Sequence, residues 1–241
     1  MKDRLDRLMV ERGLADSREK AQALIMAGEV RVQGQKAAKP GQMVGADSAI
    51  EVLAKPPYVS RGGTKLAGAL RHWSIDVAGK VCADIGASTG GFTDALLQAG
   101  AARVHAVDVG AGQLDWKLRT DPRVVLHEGI NARELQPDEI GEPIDLLVCD
   151  VSFISVTLIL PAIVPLLRHH TNQLVILIKP QFEVGKGQVG KGGIVRDPEL
   201  HQAACQRVES AVREYGFVTE IIESPITGTE GNKEFLLYAH H

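Results

Sequence analysis

Two lysines and two carboxylates occupy positions where predicted strands and helices begin or end. One run of apolar residues ends at Asp150, and a second, followed at once by a proline, ends at Lys179. Lys65 follows the segment Ser-Arg-Gly-Gly-Thr just before a predicted helix, and Glu234 directly precedes the last predicted strand. A lysine amine is a general base when neutral and stabilises a developing alkoxide when charged. We expect the four side chains to meet at the carboxyl ends of the strands, where ligands of open α/β sheets bind, and they are therefore candidate catalytic groups.

A glycine-rich turn follows an earlier predicted strand. The apolar stretch 81–85 contains Asp84 near its end, and the next seven residues are Gly-Ala-Ser-Thr-Gly-Gly-Phe. The Gly-xxx-Gly-Gly spacing differs from the GxGxxG turn that directs a helix at a pyrophosphate. Such a turn also occurs without a ligand; with one, we expect an amino-acid moiety whose ammonium group pairs with Asp84. The candidate contacts from this segment are Asp84, Gly86, Ala87, Ser88, Gly90, Gly91 and Phe92.

Two further strand ends carry side chains suited to a nucleoside. A predicted strand over 103–108 ends at Asp108, whose carboxylate can accept hydrogen bonds from both hydroxyls of a ribose. A third strand, which begins at residue 124, carries Asn131 at its end, where the amide can read an adenine edge. Ligands of open α/β sheets bind outside the carboxyl ends of the strands. Asp108 and Asn131, together with Asp150, complete the predicted cofactor contacts.

The elements that position these residues form two units. Near the start of the chain, two segments with apolar residues at helical spacing precede short alternating strands. From residue 81 onward, apolar strands alternate with helices, which is typical of a doubly wound parallel sheet. We predict a small α+β domain over residues 1–54, a linker over 55–64 that includes a proline pair, and an α/β domain over 65–241.

The charge is unevenly distributed between these units. The net charge of the chain is −3, but residues 1–65 hold twelve Lys and Arg against eight Asp and Glu. The first quarter therefore carries +4 and the rest −7. A basic segment on an acidic body indicates contact with a polyanion, although solvation alone also accounts for an excess of this size.

The first unit resembles the alpha-L RNA-binding module shared by a small-subunit ribosomal protein, pseudouridine synthases and tyrosyl-tRNA synthetases. The matching segments are Leu-Asp-Arg-Leu at 5–8, Ser-Arg-Glu-Lys-Ala at 17–21 and Gly-Glu-Val-Arg-Val at 28–32. The resemblance implies that basic side chains near the second helix contact RNA phosphates, which provide affinity rather than sequence readout. The candidates are Arg4, Arg7, Arg18, Lys20 and Arg31, with Arg61 added from a basic stretch that has no acidic residue.

The second unit resembles the FtsJ-like ribose 2′-O-methyltransferases. Lys65, Asp150, Lys179 and Glu234 match the Lys-Asp-Lys-Glu tetrad of that family in order. Four segments carry the match: Ser-Arg-Gly-Gly-x-Lys-Leu, Asp-Val-Ser-Phe-Ile-Ser, Lys-Pro-Gln-Phe-Glu and Gly-Asn-Lys-Glu-Phe. With an alpha-L module in front, the whole chain is similar to the hemolysin A (TlyA) family of ribosomal RNA 2′-O-methyltransferases.

This resemblance implies a Rossmann-like methyltransferase fold with a mostly parallel seven-stranded sheet and helices on both faces. It implies S-adenosylmethionine as cofactor, ribosomal RNA or ribosomal subunits as partner, and the 2′-hydroxyl of a cytidine ribose as acceptor. No metal is expected, because the methyl donor already carries a positive charge. Asp150 and Lys65 would flank Lys179 with opposing effects on its pKa, and Glu234 would orient Lys65 or the ribose. The family more often has Asp at the position of Asn131.

Composition excludes several other classes of protein. Apolar residues make up 44% of the chain and charged residues 24%, as in ordinary globular domains. The longest largely apolar stretch, 156–167, contains two prolines and is shorter than the roughly 20 residues of a spanning helix. Three scattered cysteines fit a reducing cytoplasm. We therefore expect a cytoplasmic protein without a membrane segment.

Other features receive an ordinary interpretation. The glycine-rich segment 185–193 lacks the Gly-Lys-Ser/Thr ending of a P-loop, so we expect a flexible basic loop near the substrate entrance. The pairs His169-His170 and His240-His241 have no partners at zinc-ligand spacing and are assigned to the surface. Trp73 and Trp116 are assigned to packing rather than to base stacking.

Two other functions are considered beside methyl transfer. A non-catalytic RNA-binding ribosome assembly factor would retain the fold without needing the tetrad. A hemolysin-like membrane-active protein is suggested only by the family name, since the sequence has no strongly amphipathic cationic helix. The target nucleotide, the ribosomal subunit and the oligomeric state do not follow from the sequence.

Overall fold

The computed structural model describes residues 2–53, 56–168, 172–228 and 231–241. Contacts divide the chain into two units, which meet in the sequence between Pro56 and Pro57. The predicted linker over 55–64 therefore contributes most of its residues to the second unit, and it contains the first turn of a helix that begins at Arg61.

The first unit consists of two short helices and two small antiparallel sheets. Its helices are α1 (Leu5–Glu11) and α2 (Arg18–Ala27); β1 (Lys2–Arg4) pairs with β4 (Met43–Gly45), and β2 (Val30–Val32) lies between β3 (Gln35–Lys36) and β5 (Ile50–Val52). Helix α2 begins after Ser17, whose hydroxyl accepts a hydrogen bond from the Lys20 amide, and ends at Gly28 in the left-handed conformation. Leu5 and Met9 of α1 are fully buried in the core of this unit.

The second unit contains a seven-stranded sheet. Its strands are β6 (Val81–Ile85), β7 (Arg103–Asp108), β8 (Val124–Glu128), β9 (Leu146–Cys149), β10 (Gln173–Ile178), β11 (Val218–Glu223) and β12 (Phe235–His240). They are arranged in the order β11-β12-β10-β9-β6-β7-β8. Every neighbouring pair is parallel except the two that involve β12, which runs against both of its neighbours. The mostly parallel seven-stranded sheet expected from the sequence is confirmed.

Helices cover both faces of this sheet. They are α3 (Arg61–His72), α4 (Gly91–Gln98), α5 (Trp116–Arg119), α6 (Pro137–Ile140), α7 (Leu160–Ile163), α8 (Pro180–Glu183) and α9 (Pro198–Arg213). Successive strand residues point to opposite faces. Cys82 therefore packs with the side chains of α3 and α4, whereas its neighbour Ala83 packs with those of α9. Both faces of the sheet are buried at its centre, which explains why β9 and most of β10 are continuously apolar.

The order of the strands brings several strand ends together. β6 lies between β7 and β9, so the chain order reverses beside it, and crevices form at such points in open α/β sheets. Gly86, Asp150 and Lys179 directly follow three of the parallel strands. Because β12 is antiparallel and pairs Phe235 with Ile178, its first residue lies at the edge where β10 ends. Glu234 therefore reaches the same edge from the beginning of a strand.

Lys65 lies inside α3, not before it as the sequence pattern predicted. The glycines at 62 and 63 resemble a turn in the sequence, but they form the first turn of this helix and pack against the first turn of α4. A Cβ on Gly91 of α4 would overlap the Ser60 hydroxyl and lie 2.9 Å from the Gly63 amide nitrogen. Because these glycines have no side chains, α3 and α4 approach each other closely. This packing against α4 stabilises a first helical turn that the local sequence of α3 does not predict.

We expect Gly91→Ala to destabilise the second unit by about 1–3 kcal/mol, because the added methyl group must displace the backbone of α3. Chemical denaturation monitored by circular dichroism measures this loss. The matched control is Gly187→Ala. A Cβ at Gly187 has no neighbour within 4 Å among the described residues, so the free energy of unfolding should change by less than about 0.5 kcal/mol. Equal stability of the two variants would contradict the proposed close packing.

Candidate active site

A cleft of about 460 Å³ opens at the carboxyl ends of β6, β7 and β9. Five of the predicted cofactor residues line it: Gly86, Ser88, Asp108, Asn131 and Asp150. The other five, Asp84, Ala87, Gly90, Gly91 and Phe92, do not line it. Four residues of this second group, Ala87, Gly90, Gly91 and Phe92, are buried. Phe92 packs in the core between α3 and α4.

Gly86 allows two strand ends to meet below this cleft. Its φ is +83°, and a Cβ there would lie 2.6 Å from the carbonyl oxygen of Asp150. The glycine is therefore required for the close approach of the chain after β6 to the chain after β9. Gly86 therefore has a role in joining the two strand ends besides its predicted place at the cofactor.

Asp108 organises the loops around the cleft. One carboxylate oxygen accepts a hydrogen bond from the Ser88 amide at 2.7 Å, and the other accepts one from the Gly110 amide at 2.7 Å. Each carboxylate oxygen has two lone pairs, so both can still accept a bond from a ligand hydroxyl. Asn131 is exposed at the cleft, where its side-chain oxygen accepts a bond from the Arg133 amide.

Asp84 does not reach the cleft, and this corrects its assignment as a direct cofactor contact. Its side chain points to the face of the sheet that carries α4, where one oxygen accepts hydrogen bonds from the Thr93 amide (2.8 Å) and hydroxyl (2.7 Å). The second oxygen has no hydrogen-bond partner among the residues that the structure describes, and the residue is fully buried. Burial raises the pKa of this carboxyl to about 7. Asp84 thus stabilises the first turn of α4 behind the glycine-rich turn.

The sequence analysis did not identify the apolar wall of the cleft. It is formed by Val107, Val109, Ile130, Ala132, Val151, Ile154 and Ile159. All of them except Ile159, which directly precedes α7, lie in or shortly after strands whose polar ends the sequence analysis had identified. Their position next to those ends was the available signal. A planar ring bound beside Asn131 would contact this wall.

A second cleft of about 350 Å³ adjoins the first. Lys179 and Glu234 line it, together with Gln181, Phe182, Val189, Gly193 and Asn232. Ser152 and Phe153 line both clefts, so the two share a wall formed by the loop after β9. Phe153 is 91% exposed and has a positive φ of 66°. A small molecule in the first cleft and a larger substrate entering the second would meet at this loop.

The four predicted catalytic residues form two ion pairs. Lys179 Nζ lies 2.6 Å from Asp150 Oδ1, and it also donates a hydrogen bond to the Ser152 hydroxyl at 2.7 Å. Lys65 Nζ lies 2.5 Å from Glu234 Oε2. The side chains of the second pair are 9% and 3% exposed, and those of the first are 12% and 20% exposed. Glu234 therefore contacts Lys65, which was one of its two expected roles, and Lys179 contacts Asp150.

Glu183 holds the loop after β9 in place, and the sequence analysis assigned it no role. It is 4% exposed and accepts hydrogen bonds from the Ser155 hydroxyl (2.5 Å) and the Val156 amide (2.8 Å). Burial raises the pKa of its carboxyl. Glu183 is the last residue of α8, which begins directly after Lys179. It therefore connects the segment carrying Lys179 to the segment carrying Asp150. The acidic residue that ends the Lys-Pro-Gln-Phe-Glu segment was the available signal.

Asn232 fixes one end of the glycine-rich loop 185–193. Its side chain accepts a hydrogen bond from the Val195 amide at 3.1 Å and donates one to the Gly193 carbonyl at 3.0 Å. Val189 and Gly193 line the second cleft. The loop therefore lies at the cleft that contains Lys179.

Most of the predicted RNA-binding side chains have partners in the chain. Arg4 and Arg18 pair with Asp6, Arg7 with Glu11, and Lys20 with Asp16, while Arg61 donates to the Thr227 carbonyl. Arg31 is exposed and is in no ion pair among the described residues. All six side chains remain exposed, so these contacts orient them without excluding a phosphate.

Several secondary assignments also have an outcome in the structure. Trp73 stacks on Tyr238 and donates a hydrogen bond to Glu220, which agrees with its assignment to packing. Trp116 is 73% exposed, which does not agree with that assignment.

His169 and His170 lie outside the described residues. Over the four described ranges, no group of three or more His, Cys, Asp or Glu is arranged to hold a metal. None of the helices in those ranges combines the length and hydropathy of a membrane span.

Comparison with known proteins identifies both units. A model of the FtsJ-like methyltransferase family matches residues 58–241, and a model of the S4 domain matches residues 3–50. The 16S/23S rRNA (cytidine-2′-O)-methyltransferase TlyA of Mycobacterium tuberculosis is 49% identical over 238 residues, covering 98% of this chain and 88% of that protein. Hemolysin A of Brachyspira hyodysenteriae is 44% identical over 241 residues, covering 98% of each.

A solved structure supports the same grouping. The structure of a hemolysin-named protein from Streptococcus thermophilus superposes with a TM-score of 0.76 at 43% identity, covering 99% of this chain and 88% of that one. Similarity over nearly the whole chain confirms the family that the sequence segments indicated.

The buried carboxyl of Asp84 generates a prediction about pH and stability. Because its pKa is higher in the folded chain than in the unfolded one, the folded state holds an extra proton between the two values. The stabilisation is present at low pH and is lost as the pH rises toward 7, at no more than about 1.4 kcal/mol per pH unit. Asp84→Asn cannot titrate, so its free energy of unfolding should lack this decline. Urea denaturation from pH 5 to 8.5 without ligand measures the difference.

The matched control for this measurement is Asp76→Asn. Asp76 is exposed and accepts a single hydrogen bond from the Ala78 amide, so its replacement should leave the wild-type pH profile intact. If wild-type and Asp84→Asn chains show parallel profiles, the carboxyl does not titrate in this range and the prediction is wrong.

Proposed function

The chain belongs to the TlyA and hemolysin A family and joins an S4 domain to an FtsJ-like methyltransferase domain, and we propose that it methylates ribosomal RNA. The proposed reaction transfers a methyl group from S-adenosylmethionine to the 2′-hydroxyl of a ribose, with a cytidine as the target nucleotide. The observation that carries this proposal is the position of Lys179, which lines the second cleft while its partner Asp150 lines the first.

The first cleft fits the cofactor in its chemistry. Asp108 has free lone pairs for the ribose hydroxyls, Asn131 and the apolar wall would hold the adenine, and Asp150 provides a carboxylate near the switch point of the sheet. Gly86 and Ser88 form the floor between them. When bound, S-adenosylmethionine supplies a methyl carbon made electrophilic by the attached sulfonium.

The second cleft fits the acceptor nucleotide. Phe153, which is almost fully exposed, lines it together with the largely buried Lys179 and Glu234. A ribose placed here would present its hydroxyl beside the wall shared with the first cleft. The contribution of the chain is then to hold the hydroxyl in line with the methyl group, which removes much of the entropic barrier.

Lys179 is the residue that we propose contacts the ribose oxygen. Asp150 and Ser152 hold its Nζ at the junction of the clefts, so the amine cannot turn toward solvent without breaking both contacts. As a charged group it stabilises the alkoxide that forms during attack. If the amine is neutral at that moment it takes the hydroxyl proton itself; if charged, the proton passes to Asp150 or to water.

The Lys65–Glu234 pair has a different proposed role. Both side chains are buried, and Lys65 lines neither cleft. Lys65 therefore acts through Glu234, whose carboxylate it holds toward the second cleft. There Glu234 would orient the ribose beside Lys179.

The two rival functions are separated by specific observations. A non-catalytic assembly factor would not need two ion pairs at the junction of two clefts. A membrane-active protein is favoured only by the names of some relatives, and no structural observation supports it. We place the proposed reaction in the cytoplasm, where ribosomal RNA is available.

Two substitutions should separate catalysis from cofactor binding. We expect Lys179→Ala to reduce the rate of methyl transfer to ribosomal RNA by at least about 100-fold while cofactor affinity is retained. Asp108→Ala should weaken the binding of S-adenosylmethionine by about 10- to 100-fold, because a charged hydrogen-bond acceptor is lost. Transfer of labelled methyl groups measures the first effect, and calorimetry measures the second.

Lys80→Ala is the matched control, because this lysine donates to Gln173 at the opposite edge of the sheet and should change neither quantity. Full activity of Lys179→Ala would refute the role of Lys179. Absence of any transfer by the wild-type chain to RNA or to ribosomal subunits, with cofactor binding intact, would favour the assembly factor.

A further inference from the structure

A fully buried carboxylate in the first unit is bonded to two arginines that reach the surface. Asp6 is 0% exposed. Its Oδ1 accepts a hydrogen bond from Arg4 Nε at 3.0 Å, and its Oδ2 accepts bonds from an Arg4 terminal nitrogen at 2.9 Å and from Arg18 Nε at 3.2 Å. Gln22 donates a further bond to Oδ2 at 2.9 Å.

The carboxylate of Asp6 is charged despite its burial. The bond from Arg4, with smaller contributions from Gln22 and Arg18, holds the pKa of Asp6 well below its usual range. A buried charge is tolerated only when it is paired and hydrogen-bonded. Both conditions hold here, so Asp6 is a fixed anchor for the two guanidinium groups.

The anchored guanidinium groups keep donors available. A guanidinium has five N–H groups; Arg4 uses two of them on Asp6, and Arg18 uses one. The side chains of Arg4 and Arg18 are 45% and 52% exposed. Two cations beside one anion leave a net charge of +1 with outward-facing donors.

The other predicted RNA contacts of this unit are paired differently. Arg7 pairs with Glu11 and Lys20 with Asp16, in each case four residues apart on the surface. The partner carboxylates are 47% and 84% exposed, so water can replace them and neither pair fixes its cation. Only Arg4 and Arg18 share a buried partner among the described residues.

We infer that Asp6 is a positioning residue that holds Arg4 and Arg18 together as one preorganised site for a backbone phosphate of RNA. The inference rests on the proposed function, which supplies RNA as the partner, and deepens it by identifying one site and its anchor. Guanidinium forks match phosphate oxygens in geometry. Fixing them in advance lowers the entropy lost when the phosphate binds.

Asp6→Asn tests the inference because its effect on net charge and its effect on the position of the arginines predict opposite changes in RNA affinity. Asp6→Asn raises the net charge of the unit by one, so charge alone predicts tighter RNA binding. The inference predicts weaker binding, by about tenfold, because asparagine has one acceptor oxygen and cannot hold both guanidinium groups. Filter binding of the full chain to purified ribosomal RNA, over a range of salt concentrations, measures the affinity. The slope of log K against log salt should also decrease in magnitude, by about one.

Asp16→Asn is the matched control, since it removes an equal charge from an exposed pair on the same unit. It should bind RNA as tightly as the wild-type chain or more tightly. In the background Arg4→Ala plus Arg18→Ala, Asp6→Asn should cause no further weakening, because its effect acts through these two side chains. Thermal unfolding of each variant checks that the chain is folded.

If Asp6→Asn does not fold, the double variant Arg4→Lys plus Arg18→Lys provides the same test. It keeps the charge but not the planar forks, and the inference predicts a similar loss of affinity. Wild-type affinity in a folded Asp6→Asn chain, or in the double lysine variant, would overturn the inference alone. Failure of the wild-type chain to bind ribosomal RNA would overturn the proposed partner and this site with it.

Discussion

The ion pair between Lys179 and Asp150 depends on two parallel strands that end side by side at one edge of the sheet. β9 is apolar throughout and β10 is apolar after Gln173, so each places its first charged residue where the strand meets solvent. Partial burial makes such a pair costly to desolvate, and the bond from Lys179 to Ser152 offsets part of this cost. The pair thereby fixes a cation at the junction of two clefts. The proposed methyl transfer requires a group held in this way.

The second ion pair depends on elements that are distant in the sequence. The antiparallel direction of β12 brings Glu234 to the edge where Lys179 lies, and the packing of α3 against α4 brings Lys65 to meet it. Gly91 allows that packing, and Gly228 leaves the space that the Glu234 carboxylate occupies. The glycines near the site therefore act mainly by letting chain segments approach each other.

Buried carboxylates have two different states in this chain, and the neighbouring cations decide between them. Within the described part of the chain, Asp84 has Thr93 as its one hydrogen-bond donor, and burial raises its pKa. Asp6 is also inaccessible to solvent, but it is bonded to two exposed guanidinium groups, and the hydrogen bond from Arg4 lowers its pKa. The first carboxylate supports a helix within the protein. The second can anchor cations at a surface because its own charge is retained.

The sequence by itself determined the strand-and-helix order, the two units, and the strand ends that carry Asp108, Asp150 and Lys179, because apolar runs and the charges that end them are local properties. It did not determine that Asp84 faces α4 instead of the cleft, since a residue one position before a strand end points to a face of the sheet. Only the tertiary structure decided that Glu234 pairs with Lys65, because strand direction and helix packing arise from contacts between distant segments.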